Sequence, residues 1–165
     1  MVRWEEFEER EGELARHGRR LLMLGKEHGD FEGGLAYLAT VRKDGSPRIH
    51  PISPVLHDGK LYLFILRTSP KRYDLLRDGR FALHSFPYPL SPDFTDEEFY
   101  LTGRASAEED EAIRRAVAEG CGDDVDSGDV FEVSLERVLR KHREPGKLIY
   151  TKWSADRIQS RTDIS

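Results

Sequence analysis

Two Asp-Gly pairs, Asp44–Gly45 and Asp58–Gly59, sit between short apolar runs and set what this chain can become. Asp-Gly supplies the positive-φ positions that tight hairpin turns require. The flanking runs therefore read as three consecutive strands, Leu35–Arg42, Arg48–His57 and Lys60–Arg67. Turns this short join only antiparallel neighbours, because a parallel pair needs a crossover of a dozen residues or more. The second strand carries Pro51 and Pro54, each of which removes a ladder donor, so it is expected at an edge or at a bulge. The third is apolar on both faces in its middle and is expected to be buried on both sides.

The rest of the chain continues the pattern. A short helix is predicted from about Pro70 to Asp78, with Gly79 as its C-cap, followed by a strand at Arg80–Ser85. Phe86–Glu98 holds three prolines and four acids and reads as a long loop, of the length typical of lids and binding loops. Phe99–Ala107 is a further strand. Ser106-Ala-Glu-Glu109 has the capping-box pattern and predicts a helix that buries Ala112, Ile113, Ala116 and Val117 and ends near Gly120. Val130–Lys141 and Lys147–Trp153 read as the last strands. Trp4 to about His28 has partial helical spacing, with Gly12 and Gly18 as places where it could divide. The expected architecture is one α+β domain over residues 1–165, mainly antiparallel β and barrel-like. Its N-terminal helical segment covers about 3–28 and its barrel about 35–153.

Composition narrows the function. Lys plus Arg is 26 against 31 Asp plus Glu, a formal charge of −5, which argues against nucleic acid as partner. The single cysteine, Cys121, allows no internal disulfide and suits a reducing cytoplasm. The acidic stretch Met1–Glu13 has no apolar signal core, and the longest apolar run, Leu61–Leu66, is far short of the roughly 20 residues of a membrane span. A cytoplasmic protein with no membrane partner is expected. The nucleotide-loop, serine-hydrolase and zincin motifs are absent. Asp123–Asp129 resembles a calcium loop, but its glycine falls one place early and Leu135 occupies the position of the closing glutamate. Six scattered histidines give no metal-ligand spacing, so no metal is expected.

The informative segment is Arg67-Thr-Ser-Pro-Lys-Arg72. Ser69 stands where an N-cap belongs and Pro70 at the first helical position. Lys71 and Arg72 then lie at the end of a helix where the macrodipole disfavours cations. An anion held there reverses that sign, with backbone N–H groups, two hydroxyls and a lysine forming a phosphate cradle. An ordinary solvated cap with outward basic side chains is the alternative. Arg48 and His50 share one strand face, roughly 7 Å apart, so Arg48 either turns toward the same anion or stays a solvated hairpin residue.

These segments together resemble the pyridoxamine 5′-phosphate oxidase-like flavin-binding proteins. The resemblance rests on the order of Leu38-Ala-Thr-Val-Arg-Lys-Asp-Gly-Ser-Pro-Arg-Ile-His-Pro51, Asp58-Gly-Lys-Leu-Tyr-Leu, Thr68-Ser-Pro-Lys71 with Leu75 and Leu76, Phe81-Ala-Leu, and Tyr100-Leu-Thr-Gly-Arg-Ala-Ser-Ala. It implies a six-stranded split β-barrel with an N-terminal helix and two further short helices. It also implies a homodimer with the cofactor at the interface, and FMN as cofactor, or a deazaflavin in one branch. The implied activity is an FMN-dependent oxidoreductase acting on a small molecule. A deazaflavin-dependent reductase and a non-catalytic flavin or heme store are the alternatives. Matched by position, Arg48 and Lys71 fall on the phosphate, with Arg67, Thr68 and Ser69 beside it. His50, Pro51, Ile52, Ser53, Ile65 and Leu66 fall near the flavin ring. No catalytic acid or base is implied. Tyr88 or Phe94 of the long loop is expected to pack over the cofactor cleft or against the partner subunit. The sequence departs from the true oxidases at Ser69-Pro70-Lys71, where they have Ser-Arg-Lys, and at Ser53, where they have lysine. It also lacks their C-terminal Arg-x-His. These departures argue against vitamin B6 oxidation.

Overall fold

The computed structural model describes residues 1–23, 27–28, 31–86 and 97–164. Among these residues eleven antiparallel strands form one sheet. The ones that frame the site are β1 (Glu27–His28), β2 (Phe31–Gly33), β3 (Ala36–Val41), β4 (Pro47–Ile52), β5 (Pro54–His57) and β6 (Lys60–Leu66). They are followed by β7 (Arg80–Ser85), β8 (Glu98–Ala107), β9 (Gly128–Glu144), β10 (Lys147–Ser154) and β11 (Arg157–Ile164). The order across the sheet is β1-β2-β5-β6-β9-β8-β7-β3-β4, with β10 on β9 and β11 on β10. β9 is the spine. Its first half pairs with β6, its second half with β10, and β8 runs along its other edge. The Asp58–Gly59 turn has positive φ at both residues, 47° and 71°, as a tight hairpin between twisted strands demands.

β6 fulfils the expectation of two-sided burial. Leu61 to Ile65 are all buried. Leu61, Leu63 and Ile65 join the main core with Phe131, Val133, Leu83 and Leu101. Tyr62 and Phe64 point to the other face and pack with Val55, Val130, Val117 and Ala118. Val117 and Ala118 belong to α4 (Glu111–Cys121), the helix that covers that face. The alternating β3 and β7 bury one face only.

The N-terminal segment forms two helices, α1 (Trp4–Arg10) and α2 (Gly12–Leu22). It divides at Gly12 and not at Gly18. Gly18 lies inside α2 for a packing reason, because a Cβ there would fall 2.4 Å from the Phe99 ring. The helix stops at Leu22 rather than His28. α1 is anchored by Phe7, fully buried and 4.9 Å ring to ring from Trp153. Among the described residues no helix is long and apolar enough to cross a membrane.

The structure corrects the barrel. Among the described residues no strand pairs across the two ends of the sheet, so it stays open and is neither a split barrel nor any closed barrel. The ends explain why. β4 carries Pro47 and Pro51, paired with Val41 and Tyr37 of β3, and among the described residues pairs with no other strand. Proline at an edge withholds the donors a further strand would need. β1, the other terminus, is two residues long. The predicted strand Arg48–His57 is in fact two, broken at Ser53, and its halves join different neighbours.

Two smaller differences concern α4 and the long loop. The Ser106 box does not start the helix, because β8 continues to Ala107. Asp110 is the N-cap instead, its Oδ1 accepting from Ala112 N–H at 2.9 Å and Ile113 N–H at 3.2 Å. Ala112 is exposed, whereas Ala118 is buried. In the long loop, Tyr88 and Phe94 lie outside the described residues. Phe86 stacks on Tyr37, 5.0 Å ring to ring. Glu97 is buried at the foot of β8, bonded to Arg140 at 2.7 Å and to Arg20, and 3.3 Å from His17.

The β8–β9 bulge at Gly103 leaves no room for a side chain, since a Cβ there would lie 1.8 Å from the Ser134 carbonyl oxygen. Gly103→Ala is expected to destabilise the fold by about 2–3 kcal/mol in urea melts. Gly12→Ala, with nothing within 4 Å, is the control and should be neutral. Equal effects of the two would contradict this packing.

Candidate functional site

β6 ends at Leu66, and a tight turn leads into α3 (Pro70–Arg77). Ser69 N–H donates to Leu66 O at 2.9 Å, and Arg72 N–H donates to Ser69 O at 3.1 Å. Ser69 is the extended N-cap and its hydroxyl makes no cap bond. Pro70 fills the first helical position, where an N–H would have no helical partner. The turn opens on a cleft of about 960 Å³. That lies in the range of small-molecule sites, about 300–1,000 Å³. Pro51, Ile52 and Ser53 line it from the β4–β5 junction, and Ile65, Leu66, Ser69 and Lys71 from the end of β6 and the start of α3.

Lys71 is the distinctive group. It is partly buried, its Nζ donates to the Pro51 carbonyl at 3.3 Å, and among the described residues it has no carboxylate partner. Burial pulls its pKa below the usual lysine value. Arg72 is different, because its Nε donates to Asp129 Oδ2 at 2.6 Å and its guanidinium lies 5.3 Å from the Tyr73 ring centre. Asp129 is thereby engaged as an ion-pair partner, and Asp124 Oδ1 accepts from Asp126 N–H.

The structure does not place Arg48, His50, Arg67 or Thr68 in the cleft lining. Arg67 and Thr68 are exposed on the turn, with Arg67 N–H donating to Ser127 O at 2.9 Å. Arg48 lines a neighbouring depression with Arg42, Asp74 and Arg77. Its Nε donates to Asp74 Oδ2 at 2.7 Å, and its remaining guanidinium donors have no protein partner among the described residues. Asp74 is 4% exposed and also accepts from Thr40 Oγ1 at 2.9 Å. Burial works to raise its pKa, but hydrogen bonds from Arg48, Thr40 and Arg77 outweigh burial and hold it below the ordinary carboxylate value. His50, inward-facing like Arg48, has its pKa lowered by burial and then by the charges of Lys71, Arg48 and Arg42. Arg48 and Lys71 thus flank an imidazole that they hold in its neutral form, and of the three only Lys71 reaches the cleft.

Sequence reasoning missed the opposite wall. Gly33 to Leu35 and the end of α4, Glu119 to Asp123, also line the cleft, with Val55 and Phe64 at its apolar floor. The C-terminal end of α4 carried a readable signal, since no Lys or Arg stands in its last turn. Among the described residues no three His, Cys, Asp or Glu side chains converge as a metal site.

Residues 25–142 match the sequence profile described as pyridoxamine 5′-phosphate oxidase. No curated protein matches the chain. Among solved structures, a pyridoxamine 5′-phosphate oxidase-related, FMN-binding protein from Nostoc punctiforme is 13% identical, with 96% of each chain covered and a TM-score of 0.61. A NimC/NimA family protein from Clostridium acetobutylicum is 14% identical over 98% of this chain and 94% of that one, with a TM-score of 0.57. PhzG from Burkholderia lata, solved in complex with tetrahydrophenazine-1-carboxylic acid, is 11% identical over 79% and 81%, with a TM-score of 0.59. These likenesses establish a shared fold.

Asp74 gives a pH test of the site's scaffold. Its folded pKa is depressed, so its ionised form stabilises the fold above the unfolded value, about pH 4, and that stability is lost as pH falls through the folded pKa. Asp74→Asn leaves Arg48 and Thr40 poorly matched and is expected to cost about 3 kcal/mol at pH 7. Urea melts from pH 7 to pH 3 should fall less steeply below about pH 4 for the variant than for the parent. Parallel curves would show that Asp74 does not hold the segment as described.

Proposed function

The chain belongs to the pyridoxamine 5′-phosphate oxidase family, and we propose that it binds FMN in the cleft at the start of α3 and works as an oxidoreductase on a small molecule. The observation that carries this reading is Lys71, a partly buried ammonium in a cleft of ligand size, bonded among the described residues only to a carbonyl and to no carboxylate. A buried cation without a counter-ion is costly, and a phosphate group supplies one. The Nostoc punctiforme protein of the same fold, described as FMN-binding, supports the choice of cofactor.

In this reading Lys71 Nζ and the Ser69 hydroxyl hold the phosphate, and Arg67, Thr68 and the free guanidinium edge of Arg48 add donors from the rim. His50, Pro51, Ile52 and Ser53 hold one edge of the ring, and the backbone of Ile65 and Leu66 the other. Bound flavin supplies hydride or electron transfer, while the protein orients the ring and excludes water. No residue is assigned as acid or base. Ser69-Pro70-Lys71 and Ser53 speak against a vitamin B6 substrate. Exposed Ile49, Leu66, Tyr73 and Leu76 flank the site on β4, the β6 end and α3. Their exposure supports the homodimer reading, in which a second copy of the chain covers them.

FMN titration followed by fluorescence quenching tests the cofactor. Saturable quenching by the parent is expected, with Lys71→Ala weakening FMN about tenfold or more at unchanged circular dichroism. Absence of quenching, equal affinities, or tighter binding of a deazaflavin or heme would overturn the assignment. Light scattering is expected to show a dimer, and a monodisperse monomer would overturn the shared-interface reading.

A further inference from the structure

Side chains tie α3 to β4 at two places. Lys71 Nζ donates to the Pro51 carbonyl at 3.3 Å, and Arg48 Nε donates to Asp74 Oδ2 at 2.7 Å. Lys71 and Asp74 stand three residues apart and so share one face of the helix. The second contact is the deeper one. Asp74 and Leu75 are the buried residues of α3, and Asp74 is 4% exposed. Replacing a buried ion pair by well-packed apolar side chains is commonly neutral or stabilising, so the helix does not need a carboxylate there in order to pack.

The bonds at Asp74 fix its direction. Oδ2 accepts from Arg48 Nε and from Thr40 Oγ1 at 2.9 Å, and Oδ1 accepts from Arg77 Nη2 at 3.3 Å. Arg77 Nη2 also donates to the Val41 carbonyl. The carboxylate is thereby tied to β3, to β4 and to its own helix, and cannot turn without breaking a bond. Arg48 in its turn is held through Nε. A guanidinium is a rigid plane with five N–H donors, so fixing Nε sets where the other four point. Those four have no protein partner among the described residues, although the Arg48 side chain is only 22% exposed. Donors drawn partly out of water without an acceptor are costly, and an anion set against them removes that cost.

The geometry points to Asp74 as a positioning residue for the cofactor phosphate: by holding Arg48 Nε it turns the opposite edge of the guanidinium toward a phosphate seated at Lys71. Asp74 itself does not touch the phosphate. The inference rests on the reading that FMN lies in the cleft with its phosphate at the start of α3. One helix face then sets both charge partners of that phosphate, Lys71 directly and Arg48 through Asp74. The arrangement also requires arginine at position 48. A lysine there could pair with Asp74, but its ammonium would have no second planar edge to offer.

Riboflavin, the same ring and side chain without the phosphate, separates positioning from folding. Fluorescence quenching on the full chain gives the affinities for FMN and riboflavin, and their ratio is the readout. The parent is expected to prefer FMN by about tenfold or more. Asp74→Asn should cut that preference about fivefold while riboflavin binding stays within about twofold, and it should add less than about twofold in an Arg48→Ala background. Gly103→Ala, which loses stability far from the cleft, should keep the parent's ratio. Arg48→Lys carries the test if Asp74→Asn does not fold. It keeps a charge for Asp74 and is expected to lose the preference as Arg48→Ala does. An unchanged ratio in Asp74→Asn or Arg48→Lys, an equal loss with and without Arg48, or a lost ratio in Gly103→Ala would overturn the inference. A Lys71-dependent FMN preference that ignores Asp74 sinks this inference alone. A parent that binds neither flavin sinks the cofactor reading and this inference with it.

Discussion

The architecture depends on the burial of β6 from both sides. Five consecutive apolar residues, Leu61 to Ile65, lock one strand between the main core and the smaller cluster under α4. Fully burying each such side chain contributes about 1.5–3 kcal/mol, so β6 cannot slide without exposing one face or the other. Its end is therefore fixed, and that end launches the turn and α3. The same cluster fixes α4, whose C-terminus becomes the facing wall. The cleft is the space left where a rigid strand ends between two helices.

Charge is then distributed unevenly over this frame. Asp74 absorbs Arg48 and Arg77, and Asp129 absorbs Arg72, so most of the basic residues near α3 are neutralised within the protein. Lys71 is not. Ion pairs hold α3 against β4 and β9, and the Thr40 hydroxyl, donating to Asp74, holds it against β3.

Much of the frame was legible in the sequence. The Asp-Gly turns, the two-sided β6, the proline-first α3 and the span of β7 all follow from local rules, because turn chemistry and alternation act over a few residues. The closure of the sheet did not follow. Pro51 and Pro54 signalled an edge, yet the pattern could not say that the chain breaks at Ser53 and sends β4 and β5 to different neighbours. β1 and β2 escaped notice because two- and three-residue strands have no period to read, and the capping box at Ser106 lost to the longer ladder between β8 and β9. At the site, the residues next to one another in sequence, Pro51 to Ser53 and Ser69 to Lys71, were legible. The wall from Glu119 to Asp123 was not, since its nearness to β6 is a tertiary fact. Arg48 shows the same limit: that it shares a strand face with His50 was readable, but neither the direction of that face nor its bond to Asp74, 26 residues on, was.

The central claim is that the start of α3 holds the phosphate of a flavin, with Lys71 as its charge partner. A crystal structure of the protein grown with FMN tests this most directly. The account predicts the phosphate within about 4 Å of Lys71 Nζ, the distance of an ion pair, with the ring between the β4–β5 junction and the end of β6. A phosphate bound at the end of α4, or FMN seated outside this cleft, would contradict it.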